Sequence, residues 1–374
     1  MTTDQWNSNT YGLILNSLAD GIYMTDMDRK ILFWNKAAER LTGWPAEEVV
    51  GHSCFDDLLA HEDLSGTRLC GEDSCPLHRA IICAEPSTLP VTVFARSRDG
   101  RRIPVEVSVG PIHNAAGEVV GGIESFRDLT PLMEDLERAR IIQEHSMQTE
   151  LPSDPRITFS AHNVPMQYVS GDFYRIEQIT PDTYAVMLAD VTGHGVAAGL
   201  YAMQLRSLWE DSRELLPSPA EFVAHMNGKL FELTREDDSF ATGFYGVLDI
   251  AQHRLRYVLA GHPSPFLLRD KETILFEVRD PAIGLLSGVE FHEQEMALQP
   301  RDRILLYSDG AIEACDRQDH ELGESGLSER VRNTGEQLSS EALHRLTESI
   351  VDYSQHTTLN DDITFVGMTL HAIG

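Results

Sequence analysis

The sequence predicts an α+β protein in which antiparallel sheets are covered by helices. The chain has 374 residues, enough for two or three domains at about 100–200 residues each. Short alternating apolar runs are separated by turn pairs, such as Asp-Gly at 99–100 and Ala-Gly at 116–117, which is typical of antiparallel hairpins. Only residues 131–151 form a long, uninterrupted helical pattern. We therefore expect domains at 9–130 and 152–374, joined by a helix.

The composition indicates a soluble protein with a strongly acidic surface. Asp and Glu number 59 and Lys and Arg 30, for a net charge of −29. Such a surface repels phosphate backbones and anionic lipid, so we expect neither nucleic acid nor membrane as a partner. The apolar runs are too short to span a bilayer, and the first residues do not resemble a signal peptide. Five cysteines in such a chain are typical of the reducing cytoplasm, where we expect the protein to be located.

The sequence of the first domain, 9–130, predicts a five-stranded antiparallel sheet with helices on one face. Its expected elements are, in order, a helix, two strands, two short helices and three strands: 13–18, 21–26, 31–35, 37–41, 47–50, 89–97, 102–112 and 119–129. The stretch ADGIYMTDMDRKILFWNKAAERLTGWPAEEVVGHSCFD resembles a PAS domain, and the resemblance covers about 11–130. It implies a sheet that curls around a small cavity able to hold a ligand, and a tendency to dimerise. A ligand-free interaction module is the alternative.

Cysteines and histidines cluster inside this domain. Seven of them fall within 32 positions: His52, Cys54, His61, Cys70, Cys75, His78 and Cys83. Zinc and iron–sulfur sites favour thiolates supplied from tight turns, and 69–71 and 74–76 are turn-like. The spacing of Cys54, Cys70 and Cys75 lacks a Cys-x-x-Cys pair. A zinc, iron–sulfur or redox site is therefore one interpretation, and buried or incidental thiols are the other.

Residues 131–151 predict a connecting helix with one buried apolar stripe. The apolar residues recur at spacings of three to five: Leu129, Leu132, Leu136, Ala139, Ile142, Met147 and Leu151. Pro131 and Pro152 bracket the helix between two modules. This favours a parallel dimer helix that carries a signal, so we expect a homodimer through the first domain and this helix. The alternative is a helix that only packs on the next domain.

Four aspartates of the second domain are expected at strand ends. In a hairpin centred on Pro181, Asp172 lies directly opposite Asp190, where like charges roughly 4.5–5.5 Å apart at Cβ are destabilising. This pattern predicts a cation between them. Asp309 ends one apolar strand and Asp361 begins another, so the two meet if these strands are antiparallel neighbours. Carboxylates without thiols or imidazoles suit Mg²⁺ or Mn²⁺.

Six motifs in the same region resemble, in order, those of metal-dependent (PPM-type) protein phosphatases of the bacterial SpoIIE/RsbU branch: VSGDFY, LADVTGHGVAAGL, FATGFYGVLD, AGHPSPF, ILLYSDGAIEA and NDDITFV. The resemblance covers about 156–370 and implies an α-β-β-α sandwich with metals at one sheet edge. It implies two Mn²⁺ or Mg²⁺ ions held by Asp172, Asp190 and the Val191 carbonyl. Asp309 and Asp361 would complete one metal each or bind through water.

The resemblance also implies a function. It is that of a PAS-regulated serine/threonine phosphatase, in which a metal-activated water attacks the phosphorus of a phosphorylated anti-sigma-factor antagonist (a STAS-type protein) in a partner-switching pathway. The alternative is a catalytically silent sensor or scaffold that binds its partner without turnover. The presence of all four aspartates favours the enzyme. Asp362 stands where many relatives have Asn, so its role is open, and His194 and His262 are expected to support the site rather than transfer protons.

Overall fold

A computed structural model describes residues 8–372, except 57, 64–65, 72–73, 236–238, 271, 278–279, 336 and 355–358. The chain divides into two compact units between Asp135 and Leu136. Each unit has its own sheets and its own buried core. In the described residues, no helix combines the length and the apolar character that crossing a bilayer requires.

The N-terminal unit is built on a five-stranded antiparallel sheet, as predicted. Its elements are α1 (Ser8–Ser17), β1 (Gly21–Asp26), β2 (Ile31–Trp34), α2 (Lys36–Thr42), α3 (Ala46–Val49), α4 (Pro76–Cys83), β3 (Val91–Arg96), β4 (Arg102–His113) and β5 (Val119–Asp128). The strand order is β2-β1-β5-β4-β3, so the last strand in sequence lies at the centre. Helix α2 packs on β1, and α4 packs on β4 and β5.

Helix α4 corrects one expectation from the sequence. The stretch 74–76 is not a turn, because Cys75 directly precedes the helix and Pro76 occupies its first position. Proline is favourable there because its missing N–H would have no helical partner. The helix lies close to the sheet at Gly122, where a Cβ would come within 2.7 Å of Leu77 Cδ1. A glycine at this point of β5 is therefore required for α4 to approach.

The helix that joins the two units is α5 (Thr130–Met147), and it is shorter than predicted. Residues 148–151 lie outside the helix. Two residues of the predicted apolar stripe, Leu132 and Ile142, are 55% and 59% exposed within the single chain. The buried residue of α5 is instead a polar one, Gln143.

The C-terminal unit is an α-β-β-α sandwich. Its remaining elements are β6 (Ile157–Val164), β7 (Asp172–Thr180), β8 (Thr183–Val191), α6 (Val196–Asp211), α7 (Pro219–Thr234), β9 (Ala241–Asp249), β10 (Arg254–Ala260), β11 (Phe266–Arg269), β12 (Glu272–Leu275), β13 (Gln294–Ala297), β14 (Arg303–Tyr307), α8 (Gly323–Arg332), α9 (Ser340–Tyr353) and β15 (Ile363–Leu370). One sheet has the order β13-β10-β9-β8-β7 and the other β12-β11-β14-β15-β6. The named strands pair antiparallel in both.

Strand β8 shows how the layers are formed. Its side chains alternate between the two faces of the sheet. Ala185, Met187 and Ala189 pack against α6 and α7, while Tyr184 and Leu188 pack into the space between the sheets. A third apolar layer joins the second sheet to α8 and α9. The alternation places even-numbered residues of β8, including Asp190, on the side that faces the second sheet.

Candidate metal centre

The first two aspartates face each other across the hairpin of β7 and β8. The register pairs Asp172 with Asp190, which confirms the predicted pairing. On β7, Phe173 packs toward the helices, whereas Ile176 packs between the sheets. Asp172 is an even number of residues from Ile176, so it shares the inter-sheet face with Asp190.

The other two aspartates come from the second sheet. Strands β14 and β15 are antiparallel, with Tyr307 opposite Phe365, so the residues after β14 meet those before β15. Asp309 begins a short 3-10 turn at this point. The backbone there is very tight, since a Cβ on Gly310 would lie 2.3 Å from the carbonyl oxygen of Asp362. This close approach brings Asp309 and Asp361 to one edge of the sandwich.

The carboxylates strongly disfavour one another's ionised forms. Burial, and then the charges of Asp172, Asp309 and Asp361, raise the pKa of Asp190 to about 11. Burial is also the main cause that raises the pKa of Asp172 and of Asp361, with further contributions from neighbouring carboxylates. The site therefore needs positive charge to hold Asp172, Asp190 and Asp361 ionised near neutral pH.

Unpartnered oxygen atoms indicate where a cation would fit. Oδ1 of Asp172 and Oδ1 of Asp309 are buried, and no hydrogen-bond partner for them is present in the described part of the chain. Buried polar atoms are normally paired. No group of three or more His, Cys, Asp or Glu side chains within the described ranges converges as tightly as metal ligands do. The donor set itself, carboxylates alone, fits a hard divalent cation.

Asp362 holds the loop that leads to Asp172. Its Oδ1 accepts a hydrogen bond from Met166 N at 2.6 Å, and its Oδ2 accepts one from Gly171 N at 2.7 Å. Val191 N donates to Gly171 O at 3.3 Å, so Gly171 N would be the ladder partner of the Val191 carbonyl. Because the Gly171 N–H donates to Asp362 instead, the Val191 carbonyl oxygen does not receive this hydrogen bond. The aspartate thus has a positioning role, and both carboxylate oxygens are needed for it.

Two hydroxyl groups orient Asp172. Thr364 Oγ1 donates to Asp172 Oδ2, and Ser170 Oγ accepts from Asp172 N at 3.1 Å. Asn163 Nδ2 in turn donates to Thr364 Oγ1 at 2.6 Å. The bond from Thr364 fixes Oδ2 of Asp172, whereas Oδ1 is the oxygen without a partner in the described residues. Sequence reasoning did not identify Thr364 and Asn163, because their partners are far away along the chain.

Gln143 joins helix α5 to the same loop. Its Nε2 donates to Ser170 O at 2.8 Å and to Gly199 O at 3.2 Å, and its Oε1 accepts from Ser170 N at 2.9 Å. Gly199 belongs to α6, where a Cβ would meet Gln143 Nε2 at 3.1 Å. The side chain therefore uses both ends of its amide to fix the backbone two residues before Asp172.

The two histidines of the matched motifs have different environments. His194 Nδ1 lies 3.0 Å from Gln167 Nε2 at the surface, and its charge would lower the pKa of Asp361. His262 is buried, with Nδ1 2.8 Å from Thr242 Oγ1. Burial lowers the pKa of His262 to about 3, so the ring is neutral near pH 7.

The cysteine cluster of the N-terminal unit divides into interior and surface residues. Cys54 and Cys75 are buried, Cys70 is partly buried, and Cys83 is exposed. The Cys54 thiol is close enough to Cys70 and Cys75 for their charges to interact. His61 is buried as well. His52 is exposed and His78 is half-buried.

Comparisons with known proteins find a different family match for each of the two units of the chain. The family model of Stage II sporulation protein E (SpoIIE) matches residues 180–371, and the model of the PAS fold matches residues 10–129. The two matches define a PAS domain fused to a PP2C-type phosphatase domain. The chain belongs to the SpoIIE family.

Individual relatives support the assignment. Phosphoserine phosphatase RsbP of Bacillus subtilis (strain 168) is 31% identical over 183 residues, covering 48% of this chain and 45% of RsbP. Phosphoserine phosphatase RsbU of the same strain is 23% identical over 298 residues, covering 79% of this chain and 85% of RsbU. The chain thus spans less than half of the first relative and most of the second. The solved SiaA-PP2C domain of Pseudomonas aeruginosa has a TM-score of 0.57 at 20% identity, covering 64% of this chain and 97% of that one, and so shares the fold.

The opposed pair generates a stability prediction. In metal-free protein, we expect Asp190→Asn to raise the free energy of unfolding by about 1 kcal/mol, because the variant no longer has to take up a proton at this position on folding to avoid two facing charges. With Mn²⁺ added, we expect the wild type to be stabilised and the variant much less. The measurement is thermal unfolding with chelator and with Mn²⁺. Asp211→Asn, an exposed change on α6, should leave both values unchanged.

The sign of the pH dependence follows from the raised pKa. Asp190 has a pKa of about 11 in the folded protein, against 3.8 ordinarily. The folded state therefore binds this proton more tightly, and its stability falls as pH rises between these two values. In chelator, the loss of stability from about pH 5 to about pH 8 should be smaller in Asp190→Asn than in the wild type. A less stable, equally pH-sensitive variant would contradict the prediction.

Gln143 generates a second prediction. Gln143→Leu removes all three hydrogen bonds to the loop before Asp172, so we expect Mn²⁺ affinity to fall by about tenfold, as for other groups that orient metal ligands. Gln148→Leu is the matched control, since Gln148 is exposed just beyond the helix. Calorimetric titration of both full-length variants with Mn²⁺ is the measurement. Equal affinities would show that Gln143 only ties the helix down.

Proposed function

We propose that the protein is a divalent-metal-dependent serine/threonine protein phosphatase controlled by its PAS domain. The observation that carries the proposal is the meeting of four carboxylates at one sandwich edge, with buried, unpartnered oxygens on Asp172 and Asp309. The names of RsbP and RsbU, both phosphoserine phosphatases, support the same reaction class.

The metal ligands in this proposal are Asp172, Asp190, the Val191 carbonyl, Asp309 and Asp361, holding two Mn²⁺ or Mg²⁺ ions. When bound, such ions lower the pKa of water to supply a nucleophile and neutralise phosphoryl charge. The chain's own residues contribute orientation. Thr364 fixes one oxygen of Asp172, and Asp362 fixes the loop beside it. Ligands that are already held in position need little reorganisation when the reaction takes place, which lowers its free-energy barrier.

The substrate in this proposal is a phosphoserine or phosphothreonine on a small protein, an anti-sigma-factor antagonist of the STAS type in a partner-switching pathway. The support is the likeness to RsbU over 79% of this chain. All five cysteines are free thiols, which fits a reducing, cytoplasmic setting. The silent scaffold differs from this proposal in one respect, because it would bind the phosphoprotein without releasing phosphate.

A phosphatase assay distinguishes the enzyme from the silent scaffold. With Mn²⁺ we expect release of phosphate from a phosphoserine STAS-type protein, and from an aryl phosphate at a lower rate. Asp309→Asn should reduce the rate by about 100-fold or more, because it removes charge and a ligand from the metal centre. Asp319→Asn is the matched control on the same connection, since Asp319 is exposed and its φ of 59° is well tolerated by Asn. Binding of the phosphoprotein without phosphate release by the wild type would establish the scaffold instead.

We also propose that the chain forms a homodimer that uses α5. Leu132, Ile141 and Ile142 are each more than half exposed on this helix, and exposed apolar side chains on a connecting helix favour burial against a second copy. Light scattering on the full chain at micromolar concentrations should give twice the monomer mass. Ile142→Glu should shift it toward the monomer, whereas Leu275→Glu, at another exposed leucine, should not. A monomeric wild type would contradict this proposal and leave α5 as a tether.

A further inference from the structure

A carboxylate lies in the apolar core of the N-terminal unit. Glu124 is at the middle of β5, between the inward-facing Gly122 and Phe126, and is only 2% exposed. Tyr23 of β1 lies directly opposite it and hydrogen-bonds to its side chain. Sequence reasoning missed Glu124, although an acid at an inward position of an alternating strand is an unusual signal.

A buried histidine faces this carboxylate without making a hydrogen bond to it. His61 Nε2 lies 3.6 Å from Glu124 Oε1. His61 is 6% exposed, and neither atom has a hydrogen-bond partner in the part of the chain that the structure describes. Buried polar atoms are nearly always satisfied, so we expect a ligand on the other ring nitrogen of His61, Nδ1, to turn Nε2–H toward Glu124 and close this gap.

Three thiols surround the same place. Cys70 Sγ accepts a hydrogen bond from His61 N at 3.2 Å. Cys54 is close enough to Cys75, Cys70 and Glu124 for electrostatic interaction, and Cys70 is likewise near Cys75 and Glu124. Cys54 and Cys75 belong to the same buried apolar cluster. Three thiols, an imidazole and a carboxylate thus lie near one another in an otherwise apolar core, and in the described part of the chain they are not drawn together to metal-ligand distances.

We propose that Cys54, His61, Cys70 and Cys75 form a site for one Zn²⁺ ion inside the N-terminal unit, with Glu124 orienting His61. Three thiolates and one imidazole are a common structural zinc set. Metal-bound histidines usually have a carboxylate or carbonyl behind the ring, and Glu124 is placed to serve in this way. A single ion is favoured over an iron–sulfur cluster because the other cysteine of this unit, Cys83, is exposed at the far end of α4, about 12 Å along an eight-residue helix.

The positions of the proposed ligands in the fold indicate what the ion would do. Cys54 follows α3, Cys70 lies in a connection, and Cys75 directly precedes α4. An ion held by all three would fix the start of α4 against the centre of the sheet, where Glu124 and Tyr23 lie. Binding requires the thiols to lose their protons, so the site adds stability only when the metal is present.

The test is the metal content of the full-length protein, purified in reductant without chelator. We expect about one zinc per chain, falling to near zero in Cys70→Ser and Cys75→Ser. Cys83→Ser and Cys315→Ser are matched controls outside the cluster and should keep the zinc. Asp190→Asn should keep it as well, which separates this site from the aspartate centre. After exchange with Co²⁺, the wild type should show sulfur-to-cobalt charge-transfer absorption, which carboxylate ligands do not give.

A second measurement needs no variant and so does not depend on a serine substitution folding correctly. Titration of wild-type thiols with a mercurial reagent should release zinc in step with modification of three cysteines, as detected by a chromogenic chelator. Three results would overturn the proposal. These are zinc content unchanged in both cysteine variants, a wild type that binds neither zinc nor cobalt through sulfur, and a protein that contains iron and sulfide. None of these readouts depends on phosphatase activity.

Discussion

The facing of Asp172 and Asp190 across one hairpin is the constraint on which the rest of the C-terminal unit depends. Two carboxylates at this separation oppose folding unless a proton or a cation lies between them. The surrounding residues are arranged to keep them there. Thr364 binds one oxygen of Asp172, and Asp362 and Gln143 together hold the loop from 166 to 171. The stability that is lost at the centre is supplied by the three apolar layers of the sandwich.

Gln143 connects helix α5 to this constraint. Apolar contacts alone would allow a helix to shift without moving one particular neighbour. The Gln143 amide instead both donates to and accepts from the backbone of Ser170, which fixes the distance and the orientation between α5 and this loop. Its three hydrogen bonds end on backbone atoms of Ser170 and Gly199, next to the strand and the helix that border the metal centre. A displacement of α5 would therefore change the position of the ligands directly.

Much of the fold and of the site could be predicted from the sequence. The hairpin register followed from the turn at Pro181 and the flanking strand-like runs. The sheet of the N-terminal unit followed from local strand patterns, and the two sheets of the C-terminal unit followed from family resemblance. The errors were in places where local pattern and tertiary environment disagree. Pro76 begins a helix instead of ending a turn, and α5 ends at Met147, before the last predicted residues. Gln143, Thr364 and Glu124 could not be assigned, because each acquires its role from a partner distant in sequence.

The two ligand clusters of the chain differ in a way that separates their chemistry. The aspartates offer only oxygen, at one edge of the sandwich, and this set favours small hard cations that retain water. The thiols and His61 offer sulfur and nitrogen in an apolar core, a set that favours zinc and discriminates against magnesium and manganese. Zinc would also bind carboxylates more tightly than manganese by intrinsic affinity, so ligand type alone does not keep it from the edge site. If the proposed sulfur-rich site is present, the first equivalent of zinc should bind there rather than at the carboxylates, because thiolates bind zinc more strongly than carboxylates do.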